Sequence, residues 1–285
     1  MRYSGRDFSE QDLLFICQLR KENPAANRTK LSKLVCEKLQ WYKINGGLKE
    51  MSCRVALIRM QEDGLIELPK PTQSAPCSRV RINFTSRTEV GDPLSDPVHL
   101  LGEIRLERVV GSTALTLWRE YIERYHYLGY TQLSGAQIRY FVYANDRLVA
   151  LLSFSASAWK TAPRDNFIGW SHKQREKNLH LVINNSRFLI LPWIHSANLA
   201  SKILSIASKK LPRDWLDIYA YQPVLFETFV DTQRYTGGCY KAANWTYVGE
   251  TKGRGKLDRT NKASIPIKSV WLYALTKNFK RILCQ

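Results

Sequence analysis

The 285 residues contain no run of about 18 apolar residues, no basic amphipathic helix and no lipidation motif, so nothing in them suits a membrane. The opening MRYSGRDFSEQD is polar where an export leader needs an apolar stretch, and the chain is expected to act in the cytoplasm, at the nucleoid. Six scattered cysteines (Cys17, Cys36, Cys53, Cys77, Cys239, Cys284) form no C-x-x-C pair and have no His pair nearby. That argues for reduced thiols and against a structural zinc site. Acidic residues are scarce. Forty-three Lys and Arg face 25 Asp and Glu, a net charge of +18 and a pI near 9.7. Self-repulsion on this scale costs stability, and a polyanionic partner is the commonest reason to carry it. With membrane set aside, the expected partner is DNA, bound by a monomer or a homo-oligomer.

What is present begins with three helical stretches. Ser9 and Asp12 have capping-box spacing, followed by Leu13, Leu14, Ile16, Cys17 and Leu19 at helical intervals. Pro24 and Asn27 end that helix, and a second is predicted over 29–39. The NGG at 45–47 marks a turn, and a third helix follows with Leu48, Met51, Val55 and Ile58 facing inward. Lys49, Arg54 and Arg59 lie on its other faces, and GLIELP at 64–69 reads as a short strand. Helix, helix, turn, basic helix and strand is the order of a winged helix-turn-helix, so residues 1–70 are expected to bind DNA. The alternative is a three-helix interaction module with a solvated basic face.

Residues 71–98 are rich in Pro, Ser and Thr without sustained periodicity, which predicts a linker. Residues 99–285 mix element types, giving an α+β class. The expected elements are helices at 114–124, 197–210 and 237–244, and strands at 138–143, 147–155, 187–193, 216–221, 245–249 and 268–275.

Several clusters here suit chemistry on DNA. Tyr240 offers a hydroxyl that attacks a phosphodiester to form a phosphotyrosine bond, provided cations such as Arg164 and Arg187 gather around it. The competing role is a buried, hydrogen-bonded core phenol. Glu227 and Asp231, in ETFVD, share one face if that stretch is helical, and with Asp165 would hold Mg for phosphoryl transfer. His126, inside YHYLGY, suits a general base; a core histidine is the plainer reading. The basic loop TKGRGK presents Lys252, Arg254 and Lys256 on flexible glycines, and from 251 to 285 nine cations face only Asp258, so phosphate contact is expected.

The motifs YHYLGY, PRDNFIGW, NLHLVINNSRFLILPW, NLAS, ETFVD, CYKAANW and VGETKGRG, with NGGLKEMSCRVALIRMQEDGLIELP near the start, resemble the DruA family, named from the Druantia anti-phage system. That resemblance implies DNA biology in phage defence loci or beside transposases. More distantly, the second part resembles GNAT-fold acyltransferases, including the Mom-like branch that modifies DNA bases. It implies a mixed sheet flanked by helices, with 138–155 as central strands. It also implies an acyl-CoA loop after RFLILPW and Tyr240 as general acid in a Tyr-x-x-x-Gly-aromatic pattern. In that loop this chain has His195 for the leading Arg or Gln and Asn198 for a glycine, which counts against acyl-CoA. The leading expectation is therefore a transposase-like enzyme that cuts and joins DNA strands. Its alternatives are a Mom-like acyltransferase and a non-catalytic DNA-binding subunit.

Overall fold

Ser9 opens the first helix with the predicted capping box: its hydroxyl accepts the Asp12 N–H at 3.1 Å and the Asp12 carboxylate accepts the Ser9 N–H at 2.9 Å. The computed structural model describes residues 1–71, 82–133, 135–254 and 265–285, which fall into two units, Met1–Arg79 and Val80–Gln285. In the first, a two-residue pair, β1 (Arg2–Tyr3) and β2 (Arg6–Asp7), precedes α1 (Glu10–Glu22), α2 (Arg28–Lys38) and α3 (Glu50–Glu62). Phe8, Ile16, Leu31, Val35, Cys53, Leu57 and Met60 form its core.

Two expectations change in this unit. On α3, Cys53, Ala56, Leu57 and Met60 face inward with the predicted Leu48 and Ile58 packed against the core, whereas Met51 and Val55 are exposed. The small side chains of Cys53 and Ala56 let neighbouring helices approach closely. The predicted wing strand is not seen among the described residues. Residues 64–69 pair with no strand; they bury Ile66 and Leu68, while the Leu68 N–H goes to Gln61 Oε1 and the Pro69 carbonyl to Arg28.

The second unit runs β3 (Ile104–Arg108), α4 (Ser112–Tyr125), β4 (Gln137–Ala144), β5 (Arg147–Ala156), α5 (Ala162–Ile168), α6 (His172–Asn178) and β6 (Val182–Ile190). Then follow α7 (Leu199–Tyr219), β7 (Leu225–Asp231), α8 (Gly238–Ala242), β8 (Thr246–Glu250), β9 (Lys268–Ala274) and α9 (Phe279–Leu283). One seven-stranded sheet, in the order β3-β4-β5-β6-β7-β9-β8, carries them all. Its neighbours are antiparallel except β6 and β7, which α7 joins in parallel. Strand β5 is buried almost throughout, as a central strand covered on both faces must be. The Tyr140 hydroxyl on β4 reaches Asp214 of α7 at 2.7 Å, whereas its neighbour Arg139 stacks on Trp118 of α4. Successive strand residues point to opposite faces, so α7 and α4 cover the two sides. This is the expected α+β mixed sheet.

Part of the predicted linker is not a linker. Glu120 on α4, only 2% exposed, accepts from the Thr85 hydroxyl at 3.0 Å and from the Thr88 hydroxyl at 2.7 Å. Tyr121 and Tyr125 donate to the Arg87 and Thr88 carbonyls. Burial alone would raise the Glu120 carboxyl; the bonds from Thr88 and Thr85 outweigh it and hold the group below its usual value. Residues 85–100 thus strap onto the second unit. The predicted strand at 216–221 is instead the end of α7 and the turn after it, because the helix continues through Pro212.

Candidate functional site

β6 and β7 pair at only three positions, Val182–Leu225, Ile183–Phe226 and Asn184–Glu227, and then part. Beyond the fork β6 is held by β5 and β7 by β9, so the two facing edges are left without ladder partners. A buried backbone group without a partner is costly, and an open pair of strand edges therefore invites an extended ligand. A cavity of about 440 Å³ occupies the fork, lined by β6 from Asn185, by β7 from Thr228, by the end of α4, by the start of α8 and by Ala200 of α7.

The vertex is polar. Tyr240 donates its hydroxyl proton to Asn185 Oδ1 at 2.8 Å, and the Thr228 hydroxyl bonds the Asn185 carbonyl at 3.1 Å. Tyr240 packs edge-on against Trp245 and Phe188. Its position is set by Gly237 at φ +78, where a Cβ would lie 2.7 Å from the Trp271 ring. Burial, with the neighbouring Cys239, raises the Tyr240 phenol well above its ordinary value. Neither Arg164 nor Arg187 contacts the hydroxyl. The cations that the phosphotyrosine reading needs are thus not on the hydroxyl, and its environment favours the protonated phenol.

The first turn of α7 opens beside the fork. Its N-cap, Asn198, adopts the left-handed conformation (φ 64, ψ 0) and makes no side-chain cap. Asn244, four residues after Tyr240, has φ 62. Both asparagines stand where the resemblance has glycine, and Asn is the side-chain-bearing residue that enters this region most readily. Asn198 thus takes a backbone conformation that glycine also enters.

The remaining predicted residues separate. Glu227 is fully buried, with its carboxylate on Arg164 Nη1 at 2.8 Å and on the Ala158 N–H at 3.0 Å. Arg164 also bonds the Ala158 carbonyl and Asp165, and Asp165 takes Arg175 and the Trp170 indole N–H. Burial pushes the Glu227 carboxyl up and the charge on Arg164 opposes that push. Because ETFVD is a strand, Glu227 and Asp231 lie four residues, about 13 Å, apart along it and cannot share a magnesium ion. Among the described residues no three His, Cys, Asp or Glu side chains gather as metal ligands. Asp231 lines the cavity beside Arg234, at 3.8 Å. Arg187 also lines it, but spends its donors on the Ser186 carbonyl at 2.7 Å and the Gly129 carbonyl at 3.3 Å, which holds the YHYLGY segment against β6.

His126 lines the cavity too, stacked on Tyr127. Its Nδ1 accepts the Leu128 N–H at 3.2 Å, which leaves Nε2 to carry the ring proton. Burial, reinforced by Arg187 and Lys268, pushes its pKa down to about 4. At neutral pH the ring is therefore uncharged with Nε2 as its donor, and a pKa near 4 makes it a weak base. The unfolded chain protonates this imidazole near 6.5 and the folded chain near 4, so the stability it contributes at neutral pH is lost as pH falls between those values. Melting temperature should drop from pH 7 to pH 5, by the equivalent of about 1–3 kcal/mol, and His126→Gln should flatten that slope. An unchanged slope in the variant would contradict this assignment.

In the first unit, Arg54 donates to the Thr29 hydroxyl at 3.1 Å and to Met51 Sδ, and only Arg59 of the three cations is fully exposed. The outward face of α3 presents Met51 and Val55, not an arginine row. Lys252 and Arg254 are exposed, whereas Lys256 lies outside the described residues. Sequence reasoning missed Asn185 and Thr228. The available signal was NN at 184–185, two amides interrupting an apolar strand that needs a reason to bury them.

A family model described as Druantia protein DruA matches residues 59–283. No curated protein matches the chain. Among solved structures, a chimera of the Vibrio cholerae spermidine N-acetyltransferase SpeG and hSSAT is similar over 62% of this chain and 98% of its own, at 10% identity and a TM-score of 0.40. An N-acetyltransferase from Staphylococcus aureus is similar over 61% and 99%, at 10% identity and 0.36. FeeM, an N-acyl amino acid synthase from uncultured soil microbes, is similar over 61% and 92%, at 10% and 0.36.

Proposed function

This chain belongs to the DruA family, and from that premise we propose that its second unit is a GNAT-type acyltransferase that moves an acyl group from an acyl-CoA thioester onto DNA in anti-phage defence. The observation that carries the reading is the fork between β6 and β7, with a protonated tyrosine at its vertex and an uncapped helix beside its mouth. The residues fit such a donor: the open edge of β6 suits an extended amide-bearing arm, and the first turn of α7 with Asn198 suits its phosphates. The bound thioester supplies an activated carbonyl and a sulfur leaving group. Tyr240 keeps a proton available for that sulfur, and the apolar walls from Phe188 to Ile190 limit access of water. Surplus positive charge favours a polyanionic acceptor.

Ala200→Glu tests donor binding without threatening the fold. An acid in the first turn of a helix is neutral to stabilising, but there it would repel a phosphate. Titration of acetyl-CoA should show one saturable site in the wild type and at least tenfold weaker binding in Ala200→Glu, with an equal or higher melting temperature. Equal affinity in both proteins would sink the placement of the donor.

A further inference from the structure

On the α4 side of the sheet, two arginines stand together without an acid between them. Arg119 lies over the Tyr130 ring at 5.2 Å, and Arg139 lies over the Trp118 ring at 5.4 Å while bonding Gln137. Among the described residues neither forms an ion pair. Glu123, one turn along α4 from Arg119, gives its carboxylate to the Tyr130 N–H at 2.6 Å. The Tyr130 hydroxyl and Arg119 Nε are buried atoms without a hydrogen-bond partner. Burial above all, with the adjacent guanidinium of Arg119, lowers the pKa of Arg139, and the Tyr130 hydroxyl beside it opposes that shift. Two half-buried like charges and two orphaned donors are expensive to hold together, and an anion with several oxygens would satisfy all of them.

The register ties this pair to the cavity. Arg139 lies opposite Ser153, and Ser153 opposite Arg187, a row across one face of the sheet that ends at the cavity wall. Two strand spacings are about 10 Å, or about three nucleotide rises of 3.4 Å. We propose that Arg119, Arg139 and the Tyr130 hydroxyl form a phosphate subsite that grips the backbone of the DNA acceptor about three nucleotides from the reacting position. This rests on the acceptor half of the reading above. The other source of phosphate is the acyl donor, and the test separates the two.

The full chain is titrated into a fluorescein-labelled single-stranded oligonucleotide at several salt concentrations, comparing wild type, Arg119→Gln, Arg139→Gln and the double variant. Each substitution should weaken binding several-fold, and the double variant should lose about 1.4 from the slope of log affinity against log salt, about 0.7 per lost contact. Arg139 packs on Trp118, so if Arg139→Gln fails to fold, the helix-surface variant Arg119→Gln still decides through its own loss of about 0.7. Unchanged affinity and slope in folded Arg119→Gln overturn the subsite, as does a loss that is equal at every salt concentration. Weaker coenzyme A binding with DNA binding intact also overturns it, by assigning the phosphate to the donor. If acyl transfer is never detected but the slope still falls, the subsite stands and the transferase reading alone fails.

Discussion

Changing Tyr240 to phenylalanine is expected to slow acyl-thioester consumption about 100-fold, a loss of about 2.7 kcal/mol in transition-state stabilisation. Affinity for the donor should change by less than about threefold, because the ring and its packing against Trp245 and Phe188 remain. The hydroxyl bonds Asn185 Oδ1, itself at the fork, so a purely structural role predicts a different pattern: lower melting temperature and weaker binding, with turnover reduced only in proportion. Steady-state kinetics at several pH values separates the two. Because burial holds the Tyr240 phenol well above its ordinary value, it stays protonated across the working range, and the wild-type profile should show no high-pH limb from this group. Turnover within a factor of three of wild type would remove Tyr240 from the chemistry.

The second large effect is on stability. Arg164→Met is expected to destabilise the second unit by about 3–5 kcal/mol, because it leaves Glu227 buried without its cation and takes one of two cations from Asp165. For a domain of this size that is a fall of about 10 °C in melting temperature. Pairing it with Glu227→Leu should recover much of the loss, since an apolar pair of similar volume is often as stable as a buried ion pair. Glu227 sits on the last paired position of the fork, so this network fixes where β6 and β7 separate. A melting temperature of Arg164→Met within about 2 °C of wild type would show the pair to be dispensable.

Much of this architecture was legible in the chain. The capping box at Ser9, the hairpin through Asn145 and the strand at 268–275 announce themselves by short-range rules, and short-range rules decide them. On α3, hydrophobicity alone ranks Met51 and Val55 above Cys53 and Ala56, whereas the smaller side chains are the buried ones. α7 was ended early because Pro212 is a breaker by propensity, yet its burial among the core residues keeps it inside the helix. Tyr240, Arg187, His126 and Asp231 line the cavity, but what each can do depends on partners distant in sequence. Asn185 accepts the Tyr240 hydrogen bond from 55 positions away, and Glu227 meets Arg164 from 63. Composition marks the chain as basic; only the register shows Arg139, Ser153 and Arg187 in one row.

The most direct measurement uses acetyl-CoA carrying label in the acetyl group, incubated with the protein and DNA, followed by digestion of the DNA to nucleosides. Label recovered on a nucleoside, and lost with Tyr240→Phe, is the predicted result. A detergent-stable bond between protein and DNA that needs Tyr240, with no label on any nucleoside, would contradict it and return the tyrosine to strand cleavage.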